Sequence, residues 1–112
     1  MKYKIIINFA KGKTMRIIAH RSLVLFYQAH KDSKVALEDW YDKVKKAEWD
    51  NFSDVKKTFN SVDSVGNKRF IFNIKGNNYR LAVIILFRIK MVYIRFIGTH
   101  DEYSNIKDIE NI

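Results

Sequence analysis

A change in the spacing of apolar residues divides this chain in two and limits the folds it can adopt. From Lys34 to Trp49 the apolar residues return at steps of three and four, which lines one face of an amphipathic helix. A weaker segment with the same spacing covers about residues 21–31. From Arg69 the period changes to two, the spacing of a strand with one buried face. The pattern therefore predicts two helices followed by a sheet.

The second half of the chain predicts three antiparallel strands. Residues 69–75 alternate, Tyr79 to Phe87 is almost continuously apolar, and Met91 to Ile97 follows after a turn. Residues 76–78 (GNN) tolerate positive φ and predict a tight turn between the first two strands. Alternation predicts that one set of strand side chains faces the helices, namely Phe70, Phe72, Ile74, Val92, Ile94 and Phe96. The other set is expected to face outward, namely Arg69, Asn73, Lys75, Tyr93 and Arg95.

These elements predict an α+β two-layer fold in the order strand, helix, helix, strand, strand, strand. The first strand is expected at residues 17–19, and the helices should cover one sheet face and leave the other for a ligand. Ser53 and Asp54 are expected to cap a short helical turn, residues 60–67 to form a loop, and residues 100–112 to form a polar tail with weak helical character.

Residues 15–112 are expected to form one domain, and residues 1–14 an N-terminal extension of uncertain origin, because Met15 opens the first strand. The apolar run at residues 5–10 is too short to span a membrane and lacks the pattern of a secretory signal, which favours a cytoplasmic protein. There are no cysteines, and His20, His30 and His100 have no metal-binding spacing, so neither a metal nor another cofactor is expected.

The positive charge is concentrated in one part of the chain. The formal net charge is +9, and residues 64–100 contribute 7 positive and no acidic side chains. Such a stretch favours a polyanionic or acidic partner by long-range attraction. The side chains expected to contact RNA are Lys56, Lys68, Arg69, Asn73, Asn77 and Tyr93.

The strand ends and the segment after the last strand should bring a second set of polar residues to one sheet edge, namely Lys75, Asn77, Arg80, Arg95, His100 and Tyr103. Cleavage of RNA by the neighbouring 2′-hydroxyl needs a base, an acid, and cations for the charge that develops on the phosphate. Histidine, arginine and tyrosine supply these groups without a metal. An outward arginine is often only solvated, and His100 could simply begin a helix, but Arg80 and Arg95 interrupt apolar stretches, where a charge needs a partner or a site.

Two segments resemble the signature of the HigB-type mRNA interferases of the RelE superfamily. Residues 72–81 (FNIKGNNYRL) and 92–103 (VYIRFIGTHDEY) match the patterns F-N-x-x-G-N-x-x-R and Y-I-R-x-x-x-T-H-x-x-Y. Trp49 and residues 53–56 also match the family's run into the sheet, so the resemblance extends from about Met15 to Ile112.

This resemblance implies a RelE-like fold and a ribosome-dependent endoribonuclease. It also implies a partner, a HigA-type helix-turn-helix antitoxin that blocks the toxin and binds operator DNA. Carried onto this sequence, it makes His100 and Arg80 the leading catalytic candidates, supported by Arg95, Lys75 and Tyr103, with Asn73 and Asn77 shaping the site. Superfamily members differ in which residue is the base and which is the acid.

Two other functions remain open at this point. A non-catalytic RNA-binding module could bind through charge and through stacking on Tyr93, although the outward face carries few aromatic residues. A DNA-binding or ribosome-associated structural protein is compatible with the charge, but no helix-turn-helix or basic helix is visible.

Overall fold

The computed structural model describes residues 13–112. The expected extension at residues 1–14 therefore lies outside the described residues, apart from Lys13 and Thr14. The five strands are β1 (Arg16–Ile18), β2 (Val62–Gly66), β3 (Arg69–Ile74), β4 (Tyr79–Leu86) and β5 (Met91–Thr99). The four helices are α1 (His20–Ala29), α2 (Lys34–Lys46), α3 (Phe52–Thr58) and α4 (His100–Ser104), and short 3-10 turns cover Lys31–Ser33 and Ile109–Asn111.

The sheet has the strand order β1-β5-β4-β3-β2. Strands β2 to β5 form an antiparallel meander, and β1 pairs in parallel with β5. The predicted α+β class, with helices layered on a largely antiparallel sheet, is confirmed. The meander has one strand more than predicted, because β2 occupies residues expected to form a loop. Strand β2 is an edge strand in which only Val62 is buried, so its sequence lacks the apolar alternation that marks a strand.

The core lies between the two long helices and one face of the sheet. Helix α2 buries Leu37, Trp40 and Val44, and the Trp40 ring meets the Phe72 ring edge to face, with 5.5 Å between centroids. Trp40 is thus a core residue, as its helical spacing indicated. Helix α3 begins after Asn51, whose side chain accepts a hydrogen bond from the Asp54 backbone; the expected cap at Ser53 lies two residues too late.

A bulge in β5 makes one expected side-chain orientation wrong. Ile94 lies opposite Val83, and Phe96 lies opposite Ala82, so Arg95 is an extra residue without a partner on β4. Beyond the bulge the alternation is reversed. Phe96 therefore lies on the face away from the helices, contrary to its predicted place in the core, and Ile97 packs against the core instead.

The outer face of the sheet is partly covered by the C-terminal segment. Helix α4 packs against β4 and β5, and the last 3-10 turn packs against β2. The Arg69 guanidinium donates hydrogen bonds to the backbone oxygen of Ile112 at 2.6 and 3.1 Å. Ile71 and Ala82 are buried on this face, which is therefore less open than expected for a ligand platform. Within residues 13–112, no helix is long and apolar enough to cross a membrane.

Candidate functional site

The turn between β3 and β4 meets the end of β5 at one edge of the sheet. Thr99 lies opposite Tyr79, and the His100 backbone N–H donates a hydrogen bond to the Asn78 carbonyl at 3.2 Å. Together they border an open depression of about 320 Å³. Its lining residues are Asn77, Asn78, Tyr79, Thr99, His100 and Asp101.

The tight turn depends on two consecutive residues in the left-handed region. Lys75 has φ 52° and Gly76 has φ 62°, and the Asn78 N–H closes the turn on the Lys75 carbonyl at 3.2 Å. A left-handed lysine is uncommon because its Cβ crowds the backbone, whereas Gly76 adopts this conformation without that cost. The turn was predicted at residues 76–78, and it places Asn77 and Asn78 beside His100.

Helix α4 is held at its start by a capping box. The Thr99 hydroxyl accepts a hydrogen bond from the Glu102 N–H at 3.1 Å, and the Glu102 carboxylate accepts one from the Thr99 N–H at 2.8 Å. These bonds to Thr99 hold the pKa of Glu102 below its usual range. His100 and Tyr103 follow this cap three residues apart, so they share a helix face. The spacing T-x-x-E predicts the start of such a helix, in a segment that was expected to have only weak helical character.

The His100 side chain is half exposed beside the depression. Its ring atom Nδ1 lies 3.5 Å from the Ser104 hydroxyl and 3.8 Å from the Asp101 carboxylate. Both neighbours belong to the same short helix. Within residues 13–112 no protein group hydrogen-bonds the other ring nitrogen, Nε2, which is therefore available to a ligand.

Arg80 lies on the outer face, beside the turn that borders the depression. It pairs with Gly98 on β5 and with Asn73 on β3, and its Nη1 donates hydrogen bonds to the Asn77 and Tyr79 carbonyls at 3.0 and 3.3 Å. Across the described part of the chain, no carboxylate lies within 4.0 Å of its guanidinium. The positive charge of Arg80 is thus held in place by backbone contacts without being neutralised.

Tyr103 is half buried on α4, with its ring 6.4 Å from the Phe96 ring. Burial raises the pKa of Tyr103 above its usual value; the charge of Asp63 raises it further, and the charge of Arg80 opposes both. The hydroxyl is therefore protonated at neutral pH and lies within the electrostatic field of Arg80. The structure thus brings three predicted candidates, His100, Arg80 and Tyr103, to one edge of the sheet.

Arg95 lies at a distance from this edge. It is the exposed extra residue of the β5 bulge, five residues before His100, or roughly 16 Å along an extended strand. No carboxylate within residues 13–112 pairs with it. The structure does not place Arg95 at the depression, so a role there needs an RNA long enough to reach both positions.

Lys75, expected on the outer face of the sheet, lies instead on the helix side, where it makes an ion pair that the sequence did not predict. Its ammonium lies 3.1 Å from the carboxylate of Asp32, in the 3-10 turn after α1, and the Tyr79 hydroxyl donates to the other oxygen of that carboxylate at 2.5 Å. These two bonds, with that from Tyr79 the larger cause, hold the pKa of Asp32 below its usual value. The same hydrogen bond raises the pKa of Tyr79. Asp32 and Tyr79 carried no local signal, because 43 to 47 residues separate the partners.

The proposed RNA-contacting residues are dispersed. Asn73 lies beside Arg80, where its amide donates to the Ser61 hydroxyl, and Asn77 lines the depression. Tyr93 lies opposite Ile84, toward the far end of β5. Three cations lie elsewhere: Lys56 sits over the Phe52 ring on α3, Lys68 lies in the β2–β3 turn, and Arg69 is bonded to the C-terminal segment.

The basic stretch at residues 64–100 is partly neutralised by acids from elsewhere in the chain. Lys75 pairs with Asp32, and the buried ammonium of Lys90 donates to the Asp50 carboxylate and, at 2.6 Å, to the Trp49 carbonyl. Lys90 thus holds the segment before α3 to the β4–β5 turn and does not face a ligand. The electrostatic footprint is smaller than the sequence indicated.

Comparison with known proteins gives two findings. Residues 33–106, more than half of the chain, match the family HigB_toxin, described as the RelE-like toxic component of a toxin-antitoxin system. The chain is also 32% identical over 80 residues to the "mRNA interferase toxin HigB" of Escherichia coli strain K12, a match that covers 70% of this chain and 74% of that protein. The proteins named "mRNA interferase HigB" from Escherichia coli O157:H7 and Shigella flexneri match to the same extent.

Proposed function

Since the chain belongs to the family of RelE-like HigB toxins, we propose that it is an endoribonuclease that cleaves mRNA on the translating ribosome. The observation that carries this proposal is the grouping of His100, Arg80 and Tyr103 at the edge where α4 meets the β3–β4 turn. The names of the 32% identical relatives as mRNA interferases support the same activity.

The proposed reaction is attack by the 2′-hydroxyl of a nucleotide on its own 3′-phosphate. The new 2′-oxygen–phosphorus bond replaces the bond to the 5′-oxygen, which yields a 2′,3′-cyclic phosphate and a 5′-hydroxyl end. Nε2 of His100 takes the proton of the 2′-hydroxyl. The Arg80 guanidinium stabilises the charge that develops on the phosphate oxygens. Tyr103, whose hydroxyl is protonated at neutral pH, donates a proton to the departing 5′-oxygen. This chemistry uses side chains only and needs no metal.

The shape and charge of the site support the proposed dependence on the ribosome. The depression is open, and the ion pair of Lys75 with Asp32 leaves few free cations beside it to hold an RNA strand. Weak intrinsic affinity is compatible with rapid cleavage if the ribosome presents the mRNA in a fixed conformation, because positioning alone lowers the barrier by several kcal/mol, of order 7–11 in well-oriented systems. The protein is accordingly proposed to act in the cytoplasm.

The proposed partner is a HigA-type antitoxin that carries the operator-binding helix-turn-helix. Free activity would damage the host cell, so the toxin requires a partner that binds quickly and tightly. Acidic groups on the antitoxin, docked on or beside the unneutralised Arg80, would provide fast capture by charge complementarity. The expected result is a stable complex on co-expression and restored growth.

A product analysis on programmed ribosomes tests the activity. Wild-type protein should produce mRNA fragments with 2′,3′-cyclic phosphate ends only when ribosomes are present, and His100→Gln should stop their formation. The matched control is His20→Gln, since His20 is also exposed but stacks on Tyr41, away from the depression. Ribosome binding without any cleavage by the wild type would instead support a non-catalytic RNA- or ribosome-binding module.

A further inference from the structure

A second cluster of polar side chains lies on the helix side of the β3–β4 turn. Its centre is the Asp32 carboxylate, which binds Lys75 through one oxygen at 3.1 Å and the Tyr79 hydroxyl through the other at 2.5 Å. Lys75 and Tyr79 border the same turn that carries Asn77 and Asn78 into the depression. One carboxylate thus binds both ends of the turn that the His100 backbone contacts.

The position of Asp32 is itself fixed by its neighbours. The fully buried Ser33 donates its hydroxyl to the His30 carbonyl at 2.6 Å, which closes the 3-10 turn that bears Asp32. The His30 ring stacks on Phe26 at 4.3 Å, and both rings meet the Tyr79 ring edge to face, at 5.6 and 5.4 Å. A packed aromatic cluster therefore connects this turn to the first residue of β4.

The two sides of the site carry different cations. Lys75 is held on the helix side of the sheet through Asp32, whereas Arg80 lies on the outer side and is held by carbonyls of the same turn. An exposed lysine samples many rotamers, and an ion pair that restricts it also fixes where its charge acts. Stability alone gives little reason for such a pair, because exposed ion pairs contribute little to it.

We propose that Asp32 is a positioning residue of the RNA-cleaving site: it fixes the Lys75 ammonium and the Tyr79 hydroxyl, and through them the turn that holds His100 at the depression. This inference rests on the proposed endoribonuclease function. Asp32 touches no reacting atom in this proposal and acts through Lys75 and Tyr79.

Asp32→Asn is the decisive variant, because an asparagine oxygen still accepts the Tyr79 hydrogen bond while the charge that holds Lys75 is lost. Single-turnover cleavage on programmed ribosomes should show a saturated rate lower by roughly ten- to a hundred-fold, the effect of displacing catalytic groups by about 1 Å. The half-saturating ribosome concentration should stay equal or fall, because removal of a carboxylate makes the surface more positive. A merely structural role would not produce a lower rate together with unweakened binding.

The chain offers a matched control in Asp39→Asn. Asp39 forms the Lys43 ion pair at 3.0 Å, with side-chain exposure similar to that of the Asp32 and Lys75 pair, and it borders a groove that Lys75 also lines but is not paired with Lys75. The Asp39→Asn variant should cleave at the wild-type rate. Asp32→Glu, which keeps the charge, should recover part of the rate lost in Asp32→Asn.

The possible outcomes separate the two proposals. Cleavage by wild type and by folded Asp32→Asn at the same rate overturns the positioning role and leaves the endoribonuclease function intact. Absence of cleavage by the wild type refutes the function itself. If Asp32→Asn does not fold, Lys75→Gln breaks the same ion pair from the exposed turn, and wild-type cleavage by that variant equally overturns the positioning role.

Discussion

The substitution Gly98→Ala tests whether the position of α4 determines activity. A Cβ added at Gly98 would lie 2.6 Å from the Cζ atom of Phe96 and 2.9 Å from the Glu102 carboxylate. Carbon atoms in contact normally lie about 3.5–4.0 Å apart. Gly98→Ala therefore requires the Phe96 ring or the neighbouring backbone to move by roughly 1 Å, and it displaces the carboxylate that completes the capping box with Thr99.

The expected cost follows from these distances. Overpacking of this kind destabilises a protein by about 1–3 kcal/mol. Weakening of the α4 cap moves His100, the first residue of that helix, relative to the turn it contacts. Because a displacement of about 1 Å in a catalytic group lowers rates by roughly a hundred-fold, cleavage should fall far more than the fraction of folded protein.

Gly66→Ala is the control for destabilisation alone. Gly66 has φ 97°, and a Cβ there meets nothing closer than 3.6 Å, so its cost is backbone strain of about 1–2 kcal/mol at an edge strand remote from His100. Both variants should be compared by thermal unfolding and by cleavage on programmed ribosomes. The reasoning fails if Gly98→Ala cleaves as well as Gly66→Ala when both are folded.

Four further predictions follow from the contacts described. Arg80→Ala should lower the rate of cleavage by a folded protein by an amount equivalent to about 2.7–4 kcal/mol in the barrier, as for removal of an oxyanion donor; wild-type cleavage would remove it from the site. Arg95→Ala should abolish growth inhibition if RNA reaches the bulge. Because Arg95 is separated from His100, the substitution should weaken binding to ribosomes more than it lowers the rate of the cleavage step. Ribosome binding should weaken steeply with added salt, and salt-independent binding would indicate an apolar protein partner instead. Lys90→Met should lower the free energy of unfolding by about 1–3 kcal/mol in thermal or denaturant unfolding, because it leaves the buried Trp49 carbonyl without a donor, and an unchanged midpoint would contradict the structural role of this lysine.

The sequence predicted those parts of the fold whose signal is periodic. Helix α2 and strands β3 and β5 have apolar spacings that determine one face to bury, and β4 is an almost continuous apolar run; all four lie close to their predicted ranges. Strand β2 was missed because it is an exposed edge, and the orientation of Phe96 was wrong because a bulge shifts the register without a local signal in the residues. The capping box at Thr99 has a local signal in the spacing T-x-x-E, which indicates where α4 begins.

The candidate site, like the fold, could be predicted only in part from the sequence. His100, Arg80 and Tyr103 lie in the two segments that resemble the family signature, and the antiparallel pairing of β4 with β5 brings them to one edge. Asp32 could not be predicted, because its partners lie 43 and 47 residues away and only the packing of α1 against the sheet brings them together.

The charges show why a count along the chain overestimates the binding surface. Two of the seven cations in residues 64–100 are bound to carboxylates from the first half of the chain, and Arg69 is bonded to the C-terminal segment. Charge that is paired within the fold releases fewer counterions on binding RNA, so it contributes less to nucleic-acid affinity than its sequence position indicates. In the proposed positioning role, Asp32 fixes the charge of Lys75 at one position, which suits a site where the geometry of one phosphate matters more than capture of a long strand.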